Sequence, residues 1–190
     1  QRNKMKKPNA LILGVSSPQY DAIEALKELA FKVYAIGKDI GPGASKADHF
    51  ENIDFNIEKI RNLIKREDIR LIYSVGSDIA MPICSYLSEE LELPHFVSAE
   101  TALICNNKIK MRESLGQDFE GNLQYKVLRS QNELDDLLPY PFIMKPSDSQ
   151  GQRGVRLIRS VNELMMNFGD SQKYSRDGRV IIEEYICGHE

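Results

Sequence analysis

Ala10-Leu-Ile-Leu-Gly14 is a short apolar run closed by glycine, and it reads as a buried strand. Pro18 then opens a helical pattern that runs through Ala30, with Ile23, Leu26 and Leu29–Ala30 on one face. Phe31 to Ile36 alternates as a second strand, and Gly37 follows it. A strand, a helix and a second strand in so short a span form a crossover unit. Such units build a parallel sheet covered on both faces.

The next segments repeat the theme. Lys38-Asp-Ile-Gly-Pro-Gly-Ala-Ser45 is rich in turn residues and reads as loop. A short strand is expected near Phe50 to Ile53. Ile57, Ile60, Leu63 and Ile64 mark a helix face, and Leu71-Ile-Tyr-Ser-Val75 a further strand ending at Gly76-Ser-Asp78. A helix is expected from Ile79 to Leu91, with Pro82 tolerated in its first turn, and a last short strand over His95-Phe-Val97. Ligands of such sheets sit at the carboxyl ends of the strands, where Gly14, Gly37 and Gly76 all fall. The first turn reads G-V-S-S-P-Q, so the G-x-G-x-x-G dinucleotide fingerprint is missing.

After about residue 104 the pattern changes. Ser98 and Asn106 are expected to cap two short helices, the second carrying Lys108 to Leu115. Leu123–Leu128, Pro141–Lys145, Val155–Arg159 and Val180–Ile186 read as strands. Ser130-Gln-Asn-Glu133 and Ser160-Val-Asn-Glu163 are capping boxes, each placed before a helix, the first running to Leu138. Two capped helices behind two strands suggest a small open α+β unit. The likeness of 128–134 to 158–164 is too short to be a repeat.

Composition bounds the function. The 190 residues carry 25 Lys+Arg against 28 Asp+Glu, a net charge of −3, which argues against a globally nucleic-acid-binding protein. No apolar run approaches the roughly 18–20 residues of a membrane span. The apolar stretch behind the basic start is too short for a signal-peptide core. Cys84, Cys105 and Cys187 are scattered and odd in number, as are His49, His95 and His189. A reduced, cytoplasmic protein without a disulfide framework or metal-ligand spacing is expected.

Two stretches carry chemistry. In Pro141-Phe-Ile-Met-Lys-Pro-Ser-Asp-Ser-Gln-Gly-Gln-Arg-Gly-Val155, a lysine ends an apolar strand, and buried lysine is rare without a partner. The loop after it offers small residues whose N–H groups can turn toward phosphate oxygens, with Gly151 and Gly154 allowing close approach. It is not a Walker loop. The same residues also suit a plain hairpin whose lysine extends its head to water. In Val180-Ile-Ile-Glu-Glu-Tyr-Ile-Cys-Gly-His-Glu190, two adjacent carboxylates in an apolar strand point to opposite faces. They suit recognition of a flat heterocycle, or an edge strand protected by charge.

Taken in order, N-N-K (106–108), P-F-I-M-K-P (141–146) with its loop and R-G-V, and I-I-E-E-Y-I-x-G-x-E (181–190) resemble the ATP-grasp superfamily. Within it, the likeness is to the carbamoyl-phosphate-synthetase, biotin-carboxylase and purine-biosynthesis branch of carboxylate–amine ligases. The resemblance covers nearly the whole chain. It implies an α/β pre-ATP-grasp domain over 1–104, Rossmann-like and parallel-sheeted. The amino-terminal part of an α+β ATP-grasp domain would follow over 105–190, with its lid at about 123–183. The resemblance assigns Lys108 and Lys145 to the phosphates of ATP, and the loop from Ser147 through Ser149 and Gly151 to Gly154 to a flap over them. Glu183 would approach the adenine amino group by its side chain. Glu184 and Ile186 would contact adenine through backbone C=O and N–H, and Glu190 would accept from the ribose. The flap is poorer in glycine than the family's usual loop.

The implied chemistry is ATP-dependent activation of a small-molecule carboxylate to an acyl phosphate for attack by an amine. Magnesium is expected with ligands beyond Glu190, so the chain as given would hold an incomplete site and be inactive by itself. A homodimer fits the resemblance. The alternative is a non-catalytic nucleotide-binding or regulatory module.

Overall fold

The computed structural model describes residues 7–116 and 118–188, and the chain divides into two compact units that meet at Ala102/Leu103. The first unit is built on β1 (Asn9–Leu13), whose five residues are all buried. Complete burial follows from its place in the middle of the sheet. With β2 (Lys32–Gly37), β3 (His49–Asn52) and β4 (Ile69–Tyr73) it forms a four-stranded sheet in the order β3-β2-β1-β4, parallel throughout. Strand alternation divides β1 between two cores. Leu11 and Leu13 pack with α2 (Ile57–Arg66) and α3 (Ala80–Glu90), whereas Ala10 and Ile12 join Ile23 and Leu26 of α1 (Ser17–Glu28). Gln19 reaches back to the Ser16 N–H (2.9 Å), and Asn56 caps α2 by accepting from the Lys59 N–H (3.0 Å).

The expected strand at 95–97 does not form. Pro94 removes a ladder donor, His95 Nδ1 lies 3.0 Å from the Leu93 carbonyl, and Phe96 stands 74% exposed.

In the second unit, α4 (Ala99–Asn106, which begins in the first unit) leads to α5 (Lys108–Leu115). The cap of α5 is Asn107 rather than Asn106: its side chain accepts from Ile109 N–H (3.0 Å) and Lys110 N–H (3.1 Å). Asn106 instead ends α4, one position too early to reach those donors. An antiparallel sheet follows in the order β5 (Tyr125–Leu128), β8 (Val180–Glu184), β6 (Phe142–Pro146), β7 (Arg156–Ile158). One face of it packs Leu128, Phe142, Met144, Ile158, Val180 and Ile182 against Leu164 and Phe168 of α6 (Val161–Lys173).

Of the two expected capping boxes, only the second starts a helix. Ser160 accepts from the Glu163 N–H (3.3 Å) and begins α6. Ser130 and Glu133 make the matching local bonds, to Asn132 N–H (3.2 Å) and Arg129 N–H (3.3 Å), yet turns follow and no helix runs to Leu138. Asp136 takes a positive φ of 53°, and Pro139 and Pro141 close the segment. The left-handed backbone at Asp136 and the restriction that Pro139 places on Leu138 interrupt the helical pattern.

Phe142 is fully buried at the centre of the second core. Phe142→Ala is expected to cost about 3–5 kcal/mol, read as a lower urea midpoint for this unit and faster hydrogen exchange at the amides of β6 and β8.

Candidate functional site

The face of the second sheet opposite α6 is where the charge collects. β8 alternates Val180 and Ile182 toward α6, so Ile181 and Glu183 point the other way. On β6, Lys145 pairs in register with Ile181 and shares that face. The Lys145 ammonium lies 2.5 Å from Glu183 Oε2. Glu183 is only 2% exposed and is held from a second side by Arg112 of α5, with Nε to Oε1 at 3.0 Å and Nη2 to Oε2 at 3.3 Å. Arg112 is itself 9% exposed, and its Nη1 donates to Asn122 Oδ1 (3.2 Å). Asn122 in turn donates to the carbonyls of Arg112 and Gly116. Burial pushes the Glu183 carboxyl up, but hydrogen bonds from Arg112 and Lys145 outweigh it and hold the group below its ordinary value. Glu183 therefore stays ionised.

Lys108 opens α5 one turn before Arg112, which puts both cations on one helix face. Its backbone N–H donates to the Ser147 carbonyl (2.8 Å) and its ammonium to the Ser149 carbonyl (2.9 Å). The loop that follows Lys145 is thus tied to the start of α5. Within the loop, Ser149 Oγ donates to the Arg153 carbonyl (2.9 Å). Gly151 (φ +62°) has open space where a Cβ would stand. Gly154 (φ +73°) does not, since a Cβ there would come within 2.8 Å of Pro146 Cγ. Gly154 is required both by backbone conformation and by packing.

A polar clamp fastens the base of this loop to the turn before β8. Asp177 accepts from Ser147 Oγ (2.7 Å) and from Arg179 Nη2 (2.7 Å), and Ser147 is fully buried. Asp148 accepts from Arg176 Nε (3.0 Å), and the Arg176 backbone N–H donates to the same carboxylate (2.9 Å). Burial acts to raise the Asp177 carboxyl, but Arg179, Ser147 and Ser175 hold it well below the usual carboxylate range.

The expected site residues fall as follows. Lys108, Lys145, Ser149 and Glu183 gather on one side of the second unit through the contacts just given, whereas Gly151 has open space around it and Gly154 packs on Pro146, its carbonyl accepting from Ser171 Oγ of α6 (2.6 Å). Glu184, ending β8, donates its N–H to the Gln124 carbonyl (3.0 Å) and accepts the Gln124 N–H on its side chain (3.0 Å). Ile186 lies past the strand end and is 61% exposed. Glu190 lies outside the described residues. Sequence reading missed Arg112, Asn122, Asp148 and Asp177. For Arg112 a signal existed: it stands four residues after Lys108 on the same short helix.

The first unit has a crevice of about 390 Å³ at the carboxyl ends of its strands, lined by Gly14, Ser16, Gly37, Lys38, Gly41 and Gly76. This is the ligand position expected for a parallel sheet. Of the three cysteines, Cys105 and Cys187 are exposed, while Cys84 is buried and its thiol is pushed up to about 12 by that burial. No helix among the described residues is long and apolar enough to cross a membrane.

No family profile matches the chain. Among curated proteins it is 28% identical over 194 residues to a formate-dependent phosphoribosylglycinamide formyltransferase of Prochlorococcus marinus (strain MIT 9312), covering 95% of this chain and 48% of that protein. Among solved structures it is similar to N5-carboxyaminoimidazole synthetase from Staphylococcus aureus complexed with ADP, with a TM-score of 0.75 and 19% identity over 97% of this chain and 49% of that one. It is also similar to a biotin carboxylase–beta-gamma-ATP complex from Campylobacter jejuni, with a TM-score of 0.74 and 16% identity over 97% and 46%. The chain spans about half the length of the relatives that it matches.

The clamp makes a pH prediction. A carboxyl held low in the folded state contributes stability above its unfolded value of about 3.9 and loses that contribution as pH falls toward the folded value. Asp177→Asn is therefore expected to be less stable than the unchanged chain at neutral pH. The gap should narrow below about pH 4, read as urea midpoints across pH 3–7.

Proposed function

Taking the ATP-grasp carboxylate–amine ligases as the family that this chain resembles in sequence and in fold, we propose that the second unit binds ATP. In the complete protein it would serve the activation of a small-molecule carboxylate for attack by an amine. The observation that carries this reading is a charge count. One buried carboxylate, Glu183, is shared by two cations, Arg112 and Lys145. The group keeps a surplus positive charge beside a loop whose small residues border the same strand. Burying uncompensated charge is costly, and an anion at Lys145 removes the cost.

Residues of this chain would hold the nucleotide as follows. Lys145 and Lys108 face the phosphates, with the Ser149 carbonyl giving up the Lys108 ammonium as phosphate oxygens arrive. The loop through Gly151 and Gly154 covers them with backbone N–H groups. Backbone at the end of β8 and just past it, at Glu184 and Ile186, meets the adenine, and Glu190 meets the ribose. ATP would supply the phosphoryl group that activates the carboxylate, with magnesium balancing charge between phosphates. The two lysines act as electrostatic stabilisers, and none of these residues is assigned as nucleophile or general base. The first unit corresponds in this reading to the pre-ATP-grasp domain.

A charge-assisted hydrogen bond contributes about 1.5–3 kcal/mol, or about 10–150-fold in affinity. Lys145→Met is thus expected to weaken ATP binding by at least about tenfold in calorimetric titration of the chain. Unchanged affinity would remove Lys145 from the phosphate site. Absence of ATP binding by the unchanged chain up to millimolar concentration would count against the reading itself.

A further inference from the structure

We infer that Arg112 is a positioning residue that acts through Glu183 on Lys145, so that the Glu183 carboxylate serves the phosphate end of the site and not recognition of the base. The inference rests on the nucleotide reading above and departs from the role that resemblance alone would give Glu183.

The geometry carries it. A carboxylate offers two oxygens, and both are engaged here. Oε1 takes Arg112 Nε, and Oε2 takes Arg112 Nη2 together with Lys145 Nζ. With 2% of its surface exposed, Glu183 has no open approach for an exocyclic amine. The two-pronged guanidinium fixes the plane of the carboxylate, and Asn122 fixes the guanidinium through its third nitrogen. Asn122 is itself anchored on the carbonyls of Arg112 and Gly116. Each link is a short, directional contact between buried or half-buried groups. The chain of contacts ends on a lysine ammonium whose flexible stem would otherwise let it wander. Arg112 also neutralises the carboxylate, which leaves the Lys145 charge available to a second anion.

Charge supply and positioning separate in one double variant. Arg112→Met with Glu183→Gln removes one cation and one anion. The local charge stays as it was, the buried guanidinium and carboxylate leave together, and the half-buried Lys145 ammonium keeps its charge without the carboxylate that positions it. Inorganic tripolyphosphate, ATP and GTP are titrated into the unchanged and doubly substituted chains, with hydrogen exchange of β6 and β8 confirming that the second unit is folded. The expected result is a loss of about tenfold or more in affinity, similar for tripolyphosphate and ATP, with the ATP-to-GTP preference kept within about threefold. Arg112→Lys, which keeps the charge but loses the two-pronged grip, should also weaken tripolyphosphate binding.

Tripolyphosphate affinity unchanged while ATP weakens and the preference for ATP over GTP collapses would overturn the inference and return Glu183 to the base. Unchanged affinity for all three would overturn it as well. If the unchanged chain binds neither tripolyphosphate nor ATP, the nucleotide reading fails and this inference goes with it. Binding by the unchanged chain separates that failure from the others.

Discussion

The second unit is organised around one buried carboxylate. Glu183 sits in the central pair of the antiparallel sheet, where β8 is bonded to β5 on one side and β6 on the other. An ionised group at 2% exposure must be compensated, because breaking a buried pair costs about 3–5 kcal/mol. The compensation comes from elements distant in sequence: Arg112 from α5 and Lys145 from β6. This requirement helps to dock α5 against the sheet face opposite α6. It sets Lys108, one turn earlier on the same helix, beside the carbonyls of Ser147 and Ser149. The site is in this sense a by-product of satisfying one charge.

The parallel sheet of the first unit was legible because its strands are buried on both faces. Such strands read as short apolar runs closed by glycine, and β1 and β2 show the pattern with little else competing. The antiparallel strands were legible by alternation, and α6 by a cap with a full helical pattern behind it. The failures share a cause. Ser130-Gln-Asn-Glu133 offers the same local bonds as the cap of α6, but local bonds do not make a helix when two prolines and a positive-φ aspartate follow closely. His95-Phe-Val97 has strand composition. Pro94, directly before it, was the sequence signal against a strand, and the residues after it outweighed that signal.

The site shows the same division. Lys145 and Glu183 were conspicuous because charge is rare inside apolar strands, and oddness of that kind is visible in sequence. Arg112 carried only its four-residue spacing from Lys108 as a signal, and an arginine on a short helix is ordinary until the helix is known to pack over a carboxylate. The clamp of Asp148 and Asp177 onto Arg176 and Arg179 was hidden for a similar reason. A run such as S-R-D-G-R reads as a solvated turn, and only the fold shows that it grips the base of the loop after Lys145.

That clamp bears on the loop's poverty in glycine. In the role proposed for it, the loop after Lys145 needs fixed ends and a compliant middle. Here the ends are set by Ser147, fully buried and bonded to Asp177, and by Gly154, whose Cβ position is filled by Pro146. Between them, Asp148 is held by Arg176, Gly151 has open space around it, Ser149 bonds Arg153 and Lys108, Arg153 bonds the Gln150 carbonyl, and the Gln152 carbonyl accepts from the Val155 N–H. Compliance in such a loop comes less from glycine content than from how few contacts must break. The contact between the Lys108 ammonium and the Ser149 carbonyl is the one that a phosphate can replace in kind, because an anionic oxygen is a stronger acceptor for an ammonium than a neutral carbonyl is. In the proposed role, a loop held by an exchangeable bond can yield to a polyphosphate with few glycines.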